Sequence, residues 1–150
     1  MSEALRTALV GFGGLALGFT WLSIRTVSVP AASPDRLVAE LRLAQLAALV
    51  LTLSAGAYIG FAVVHEYRQG VGFDIAVAIV FLLVAALTMV RDPRQALTIV
   101  ALAFAAHAIV DVLHRPGLLP EDIVPRWYSI GCAVYDVYLG ALCYLPMLRR

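Results

Sequence analysis

Four residues in the last third of the chain carry chemistry that an apolar helix does not need. His107, Asp111 and His114 are spaced i, i+4 and i+7 in the run HAIVDVLH, so on a helix all three project within about 60° of one another. Asp136 follows in a second apolar run, on a face shared with Ser129, Cys132, Gly140 and Cys143, with Tyr135 and Tyr138 flanking it. An Asp at the centre of a membrane helix costs roughly 2.5 to 3.5 kcal/mol on insertion scales, so such groups should face protein or water, not lipid. Two ligands at i and i+4, as in the paired histidines of zinc proteases, can grip one ion, and i with i+3 also serves. His107 with Asp111, or Asp111 with His114, meets that spacing. His107 and His114 lie about 10.5 Å apart along the axis, too far to share an ion without strain. A mononuclear site would therefore take one of these pairs and add Asp136 or His65 from another helix. Three protein ligands and an open water position describe a catalytic zinc site, and another divalent transition metal would be held in the same way.

The elements that must position these groups follow from composition. The chain has 150 residues, 62% of them hydrophobic and only 14% charged; a soluble domain averages roughly 25% charged. A bilayer core about 30 Å thick takes about 20 apolar residues per helical span. Five such spans can be drawn, over about 7–24, 43–64, 71–90, 95–113 and 127–148, separated by Gly- and Pro-punctuated segments such as SVPAASPDR and RDPR. The expected fold is all-α, a polytopic membrane helical bundle of five transmembrane helices forming one integral membrane domain over 1–150. Arg6 before the first apolar run, with Val29-Pro30-Ala31 after it, has the outline of a signal peptide. The run is long for a signal core, however, and is read as a true span.

All eleven basic residues are Arg. In a five-span topology Arg6, Arg68, Arg115 and Arg126 fall on one side, and Arg25, Arg36, Arg42, Arg91, Arg94, Arg149 and Arg150 on the other. Basic residues favour the cytoplasm, which predicts a multi-pass protein of the cell membrane with its N-terminus outside and its C-terminus cytoplasmic. A net charge of +1 gives no footing for nucleic acid. The expected partners are the lipid bilayer, a lipid or small-molecule ligand, and further copies or other subunits of a membrane complex. Cys132 and Cys143, about 16 Å apart on one helix, cannot form a disulfide.

In the first span Gly11, Gly14 and Gly18 share a face, and the second offers Gly56 and Gly60; small residues of this kind let membrane helices pack closely. Ser54, Tyr58, Phe61 and His65 share a face of the second span, and His65 with Glu66 ends it as an interfacial pair. Asp74 opens the third span, at the interface or as a helix cap. Trp127 and Tyr128 mark the water boundary of the fifth. Asp136 lies roughly 13 Å beyond that boundary, and His107 is about as far inside the end of its own helix, so the two are depth-matched. His65, Glu66, Asp74, His107, Asp111, His114, Cys132 and Asp136 therefore gather toward one leaflet. A polar funnel open to that side, with the other half of the bundle nearly free of ionisable groups, is the expected shape.

Three functions fit. In the first, a metal centre acts as a hydrolase or lipid-modifying enzyme, with Asp111, Asp136 and His107 as its catalytic residues and His107, Asp111, His114, His65 and Asp136 as the ligand pool. The second is a His/Asp proton relay in a small proton- or ion-coupled transporter. The third is a structural or accessory subunit in which His107 and Asp136 bond across helices. Haem ligation is disfavoured, because His65 lies too near the water boundary. The pattern HxxxDxxH at His107–His114, then Pro-Arg-Trp-Tyr at Pro125–Tyr128 and Cys-x-x-x-Asp at Cys132–Asp136, resembles a group of bacterial multi-pass membrane proteins of unassigned function. That resemblance covers the last third of the chain and implies no activity. More distantly the chain resembles intramembrane zinc hydrolases of the alkaline-ceramidase type, which have seven spans and use three His with an Asp and a Ser. With three His in total and five spans, this chain does not inherit that activity.

Overall fold

The computed structural model describes residues 3–65, 70–114, 119 and 123–148. Five helices follow one another: α1 Glu3–Ser28, α2 Pro34–Val64, α3 Val71–Met89, α4 Pro93–Leu113 and α5 Arg126–Leu148. Each is long and apolar enough to cross a membrane. Short connections alternate their directions, so α1, α3 and α5 run one way and α2 and α4 the other. The core is built by α2, α4 and α5, with α3 on α2 and α4; α1 is peripheral, meeting only α2 and α5 among the described residues. Large apolar side chains such as Leu53, Leu83, Leu102 and Val134 point outward, as lipid-facing positions require.

Two of the helix starts are written in the sequence. Ser33 accepts a hydrogen bond from the Asp35 amide with Pro34 in the first turn of α2, and Asp92 accepts one from the Gln95 amide with Pro93 opening α4. Each cap satisfies an orphan amide, and Pro loses nothing at that position because its missing N–H would have been unpaired. The first of these caps corrects an expectation. The second helix begins at Pro34, well before residue 43, because its charged first turns find partners inside the bundle.

Arg36 and Glu40, each 2% exposed, form that buried end. Arg36 Nε donates to Glu40 Oε1 at 2.7 Å, one helical turn on. Its Nη1 donates to the carbonyl oxygens of Thr26 and Val29, and its Nη2 to that of Pro146 at 2.7 Å. Thr26 and Pro146 lie in the last turns of α1 and α5, whose carbonyls have no partner within their own helices. One guanidinium thus caps two parallel helices and sits at the negative ends of both dipoles. The expectation that this half would be nearly free of ionisable groups does not hold; an i, i+4 pair makes it tolerable.

Pro146 adds a second tie. Lacking an N–H, it cannot bond the carbonyl of Leu142 four residues back, and that oxygen accepts from Ser23 Oγ of α1 at 2.8 Å. The expected glycine packing, in contrast, is absent from α1 and α2. A side-chain carbon added at Gly11, Gly14, Gly18, Gly56 or Gly60 would meet nothing within 4 Å. Close approach occurs at Gly140, where such a carbon would lie 3.3 Å from the Ala101 carbonyl oxygen and 3.6 Å from Phe104. There α5 presses against α4.

Replacing Arg36 alone should therefore be worse than removing the pair. Arg36→Ala leaves the buried Glu40 with only its longer contact to the exposed Arg94, whose Nε is 3.7 Å from Glu40 Oε2, an expected loss of about 3 kcal/mol. The double change Arg36→Met with Glu40→Leu should recover most of it. Thermal unfolding of the purified variants in mild detergent measures both, and a double variant no more stable than Arg36→Ala would contradict the assignment.

Candidate metal centre

The polar residues of α4 and α5 meet in the half of the bundle opposite Arg36. His107 is 2% exposed, Asp111 1% and Asp136 0%. His107 Nδ1 lies 2.6 Å from Asp136 Oδ2, so the depth match read from the sequence is a direct contact between helices. A carboxylate only accepts, so in this arrangement the proton sits on Nδ1. The same nitrogen is 3.3 Å from Asp111 Oδ2, without the alignment of a hydrogen bond. Asp111 Oδ1 takes the hydroxyl of Tyr58 from α2. Tyr58 and Phe81 pack edge-on against the imidazole, with ring centroids 5.4 and 4.8 Å away. Cys132 completes the group, its Sγ 3.9 Å from Asp136 Oδ2.

One nitrogen, one sulfur and two carboxylate oxygens from His107, Asp111, Cys132 and Asp136 lie within 4.8 Å of one another and could hold a metal ion. Two carboxylate oxygens in this group, Asp111 Oδ2 and Asp136 Oδ1, are buried without a hydrogen-bond partner. Burying an acceptor unpaired is costly, so the pairing here is incomplete. A tetrahedral ion about 2.0 to 2.3 Å from each donor needs the donors within about 3.3 to 3.8 Å of one another. Contraction by about an ångström would close the group on an ion of that size.

The other sequence candidates sit elsewhere. His114 lies just past the end of α4. Its Nε2 donates to Asp74 Oδ1 at 3.0 Å and its Nδ1 to the Val110 carbonyl at 2.9 Å. Asp74 is accordingly buried and paired, neither solvated at the interface nor capping α3, whose N-cap is Gly70 at φ 94°. A spacing of i+3 from Asp111 put His114 on the correct face but one turn nearer the helix end, where the first turn of α3 arrives. His65 Nδ1 bonds the Phe61 carbonyl of its own helix at 2.9 Å, so it closes α2 and does not join the cluster. Glu66, expected beside it, lies outside the described residues, as do Arg68, Arg115, Arg149 and Arg150. Cys132 had been placed on the polar face but not among the ligands, although its spacing of i−4 from Asp136 mirrors that of His107 and Asp111. Tyr58 had been seen only as one member of a face; nothing in its local sequence marks its reach to Asp111.

The cluster is not the base of an open polar funnel. An α4–α5 groove of about 340 Å³ reaches it at Asp136, and beside it lies a cavity of about 220 Å³ lined by Leu9 and Phe12 of α1, Ser54 of α2, and Trp127, Tyr128, Gly131, Cys132 and Tyr135 of α5. Its walls are largely aromatic and aliphatic, and it reaches the cluster at Cys132.

Both nitrogens of His114 donate, to a carboxylate and to a carbonyl, which requires the imidazolium. Burial opposes that charge, but the bonds to Asp74 and Val110 and the nearby Asp111 outweigh it, and the pKa is raised above its ordinary 6.5. Tyr58, the remaining titratable neighbour, packs against the ring with centroids 5.3 Å apart. A raised folded-state pKa stabilises the fold fully below about pH 6.5, and the contribution is lost as pH rises through the folded-state value. Thermal unfolding measured from mildly acidic to alkaline pH should show that decline, and Asp74→Asn should flatten it. An identical pH profile in Asp74→Asn would remove the pair from this role.

No family model matches the chain, and comparison with curated proteins and with solved structures returned no match.

Proposed function

We propose that this protein is a membrane-embedded, metal-dependent hydrolase whose centre is the group His107, Asp111, Cys132 and Asp136. The observation that carries the reading is the convergence of four donors within 4.8 Å, two of them carboxylates with a buried and unpartnered oxygen. A divalent ion would satisfy the Asp136 oxygen directly, and a water on that ion would offer a donor to the Asp111 oxygen. Zinc suits the mixed donors, since it accepts imidazole nitrogen, thiolate sulfur and carboxylate oxygen alike in tetrahedral geometry.

A zinc ion there would supply Lewis acidity and a water acidic enough to attack near neutral pH. His107, Cys132 and Asp136 would hold it, with the Nδ1 and Sγ protons released on binding. Asp111, anchored by Tyr58, would serve as general base and then general acid in hydrolysis at a carbonyl or phosphoryl centre, taking one proton from water and returning it to the leaving group. By the arginine count the site end faces outward, with the N-terminus on that side.

A proton-coupled carrier is the second reading. Its support is the chain of hydrogen bonds from Tyr58 through Asp111 and from His107 to Asp136. Beneath that chain, however, Leu51, Leu97, Val100, Phe104, Leu139 and Cys143 are all fully buried. A packed apolar layer favours a one-sided site over a conduit.

The purified protein should contain close to one zinc per chain by elemental analysis. His107→Gln, Cys132→Ser and Asp136→Asn should lose it, Tyr58→Phe should weaken it about 10- to 100-fold, and Asp74→Asn should keep it. Wild-type protein that holds no transition metal, even after equilibration with zinc, would end the metalloenzyme reading.

A further inference from the structure

The cavity beside the centre is elongated. From Trp127 to Tyr135 its α5 wall runs eight residues, about 12 Å of helix, so the apolar chain of an amphiphile can lie along it.

The lining agrees with the shape. Leu9, Phe12 and Trp127 give the slot an apolar rim that is itself exposed on the outer faces of α1 and α5. At that depth those faces meet lipid, so the slot is reached sideways from the bilayer. Tyr135 bridges the two helices at the deep end, donating its hydroxyl to the Phe12 carbonyl at 3.2 Å and packing edge-on against the Phe12 ring. Midway along, Cys132 opens onto the slot on one side and onto Asp136 on the other. Gly131 faces the same space, and a side-chain carbon added there meets nothing within 4 Å. A longer side chain at this position therefore has room to extend into the slot.

We infer that the substrate is an amphiphilic lipid taken laterally from the bilayer, an apolar chain of it lying in the slot between α1 and α5 and its hydrolysable group at the level of Cys132. This names the substrate class of the centre proposed above and rests on that reading, although occupancy of the slot does not itself require the metal.

The test uses the full chain in nanodiscs of diacyl phosphatidylcholine, with a lysophosphatidylcholine carrying a photoreactive diazirine on its acyl chain as probe. Labelling should concentrate on α5 between Trp127 and Tyr135 and on α1 near Leu9 and Phe12. Gly131→Leu should fill the slot and reduce that labelling at least fivefold, with zinc content unchanged. Ala86→Leu, on the outward face of α3, should label like wild type. Labelling spread evenly over outward positions such as Leu53, Leu83 and Leu102, or unaltered in Gly131→Leu, would overturn the inference. If the wild type holds no zinc and the slot still labels selectively, the metal reading fails and the chain-binding slot stands.

Discussion

The Arg36 guanidinium fixes how the helices that carry the site are set against each other. It hydrogen-bonds the ends of α1 and α5 at once and is held in place by Glu40, so those two parallel helices cannot slide without breaking buried, charge-assisted bonds. Ser23, on the carbonyl that Pro146 frees, repeats the restraint one turn away. The consequence reaches the far end of the bundle. α5 carries Cys132 and Asp136, α1 carries Leu9 and Phe12, and their relative height decides whether a slot ends at the polar cluster or at a closed wall. A salt bridge buried in this way adds little net stability against an apolar pair of the same size. Its contribution here is register.

A shared rule governs every ionisable group inside the bundle: it must find a partner on the same turn or on another helix, because lipid supplies none. Arg36 and Glu40 satisfy it locally and His114 and Asp74 satisfy it between α4 and α3. The group around His107 differs in kind. Glu40 and Asp74 each leave one carboxylate oxygen short of a hydrogen bond, but singly. At the cluster two such oxygens converge with an imidazole and a thiol. One proton shared between His107 and Asp136 cannot satisfy both carboxylates.

Much of this was legible in the sequence, and the parts that were not have physical causes. Hydropathy placed five spans, with the last three helices within two residues of where they lie. It misjudged the second helix because Asp35, Arg36, Glu40 and Arg42 lower the average, although Ser33-Pro34 was a start signal and Arg36 with Glu40 an i, i+4 pair. The 3.6-residue period put His107, Asp111 and His114 on one face, and counting from the water boundary matched Asp136 to His107. The period does not say which turn meets which neighbour. That is why the sequence does not show that Asp74 holds His114 or that Tyr58 reaches Asp111. The glycines misled for a related reason: a small-residue stripe permits close packing without requiring it, and among the sites compared only Gly140 shows a tight approach within this chain.

Local consistency points to the same region from another direction. Caps, helix ends and the apolar layer below Asp136 each agree with the fold they sit in, as a sequence that specifies one structure should. The cluster is where that agreement stops, since an apolar replacement at Asp111 or Asp136 would relieve a buried and incompletely paired charge. Keeping four such groups together on α4 and α5, supported by a tyrosine from α2 and beside an apolar slot, makes sense if the missing partner comes from outside the chain. In the proposed function a metal ion with its water would supply it for the carboxylates.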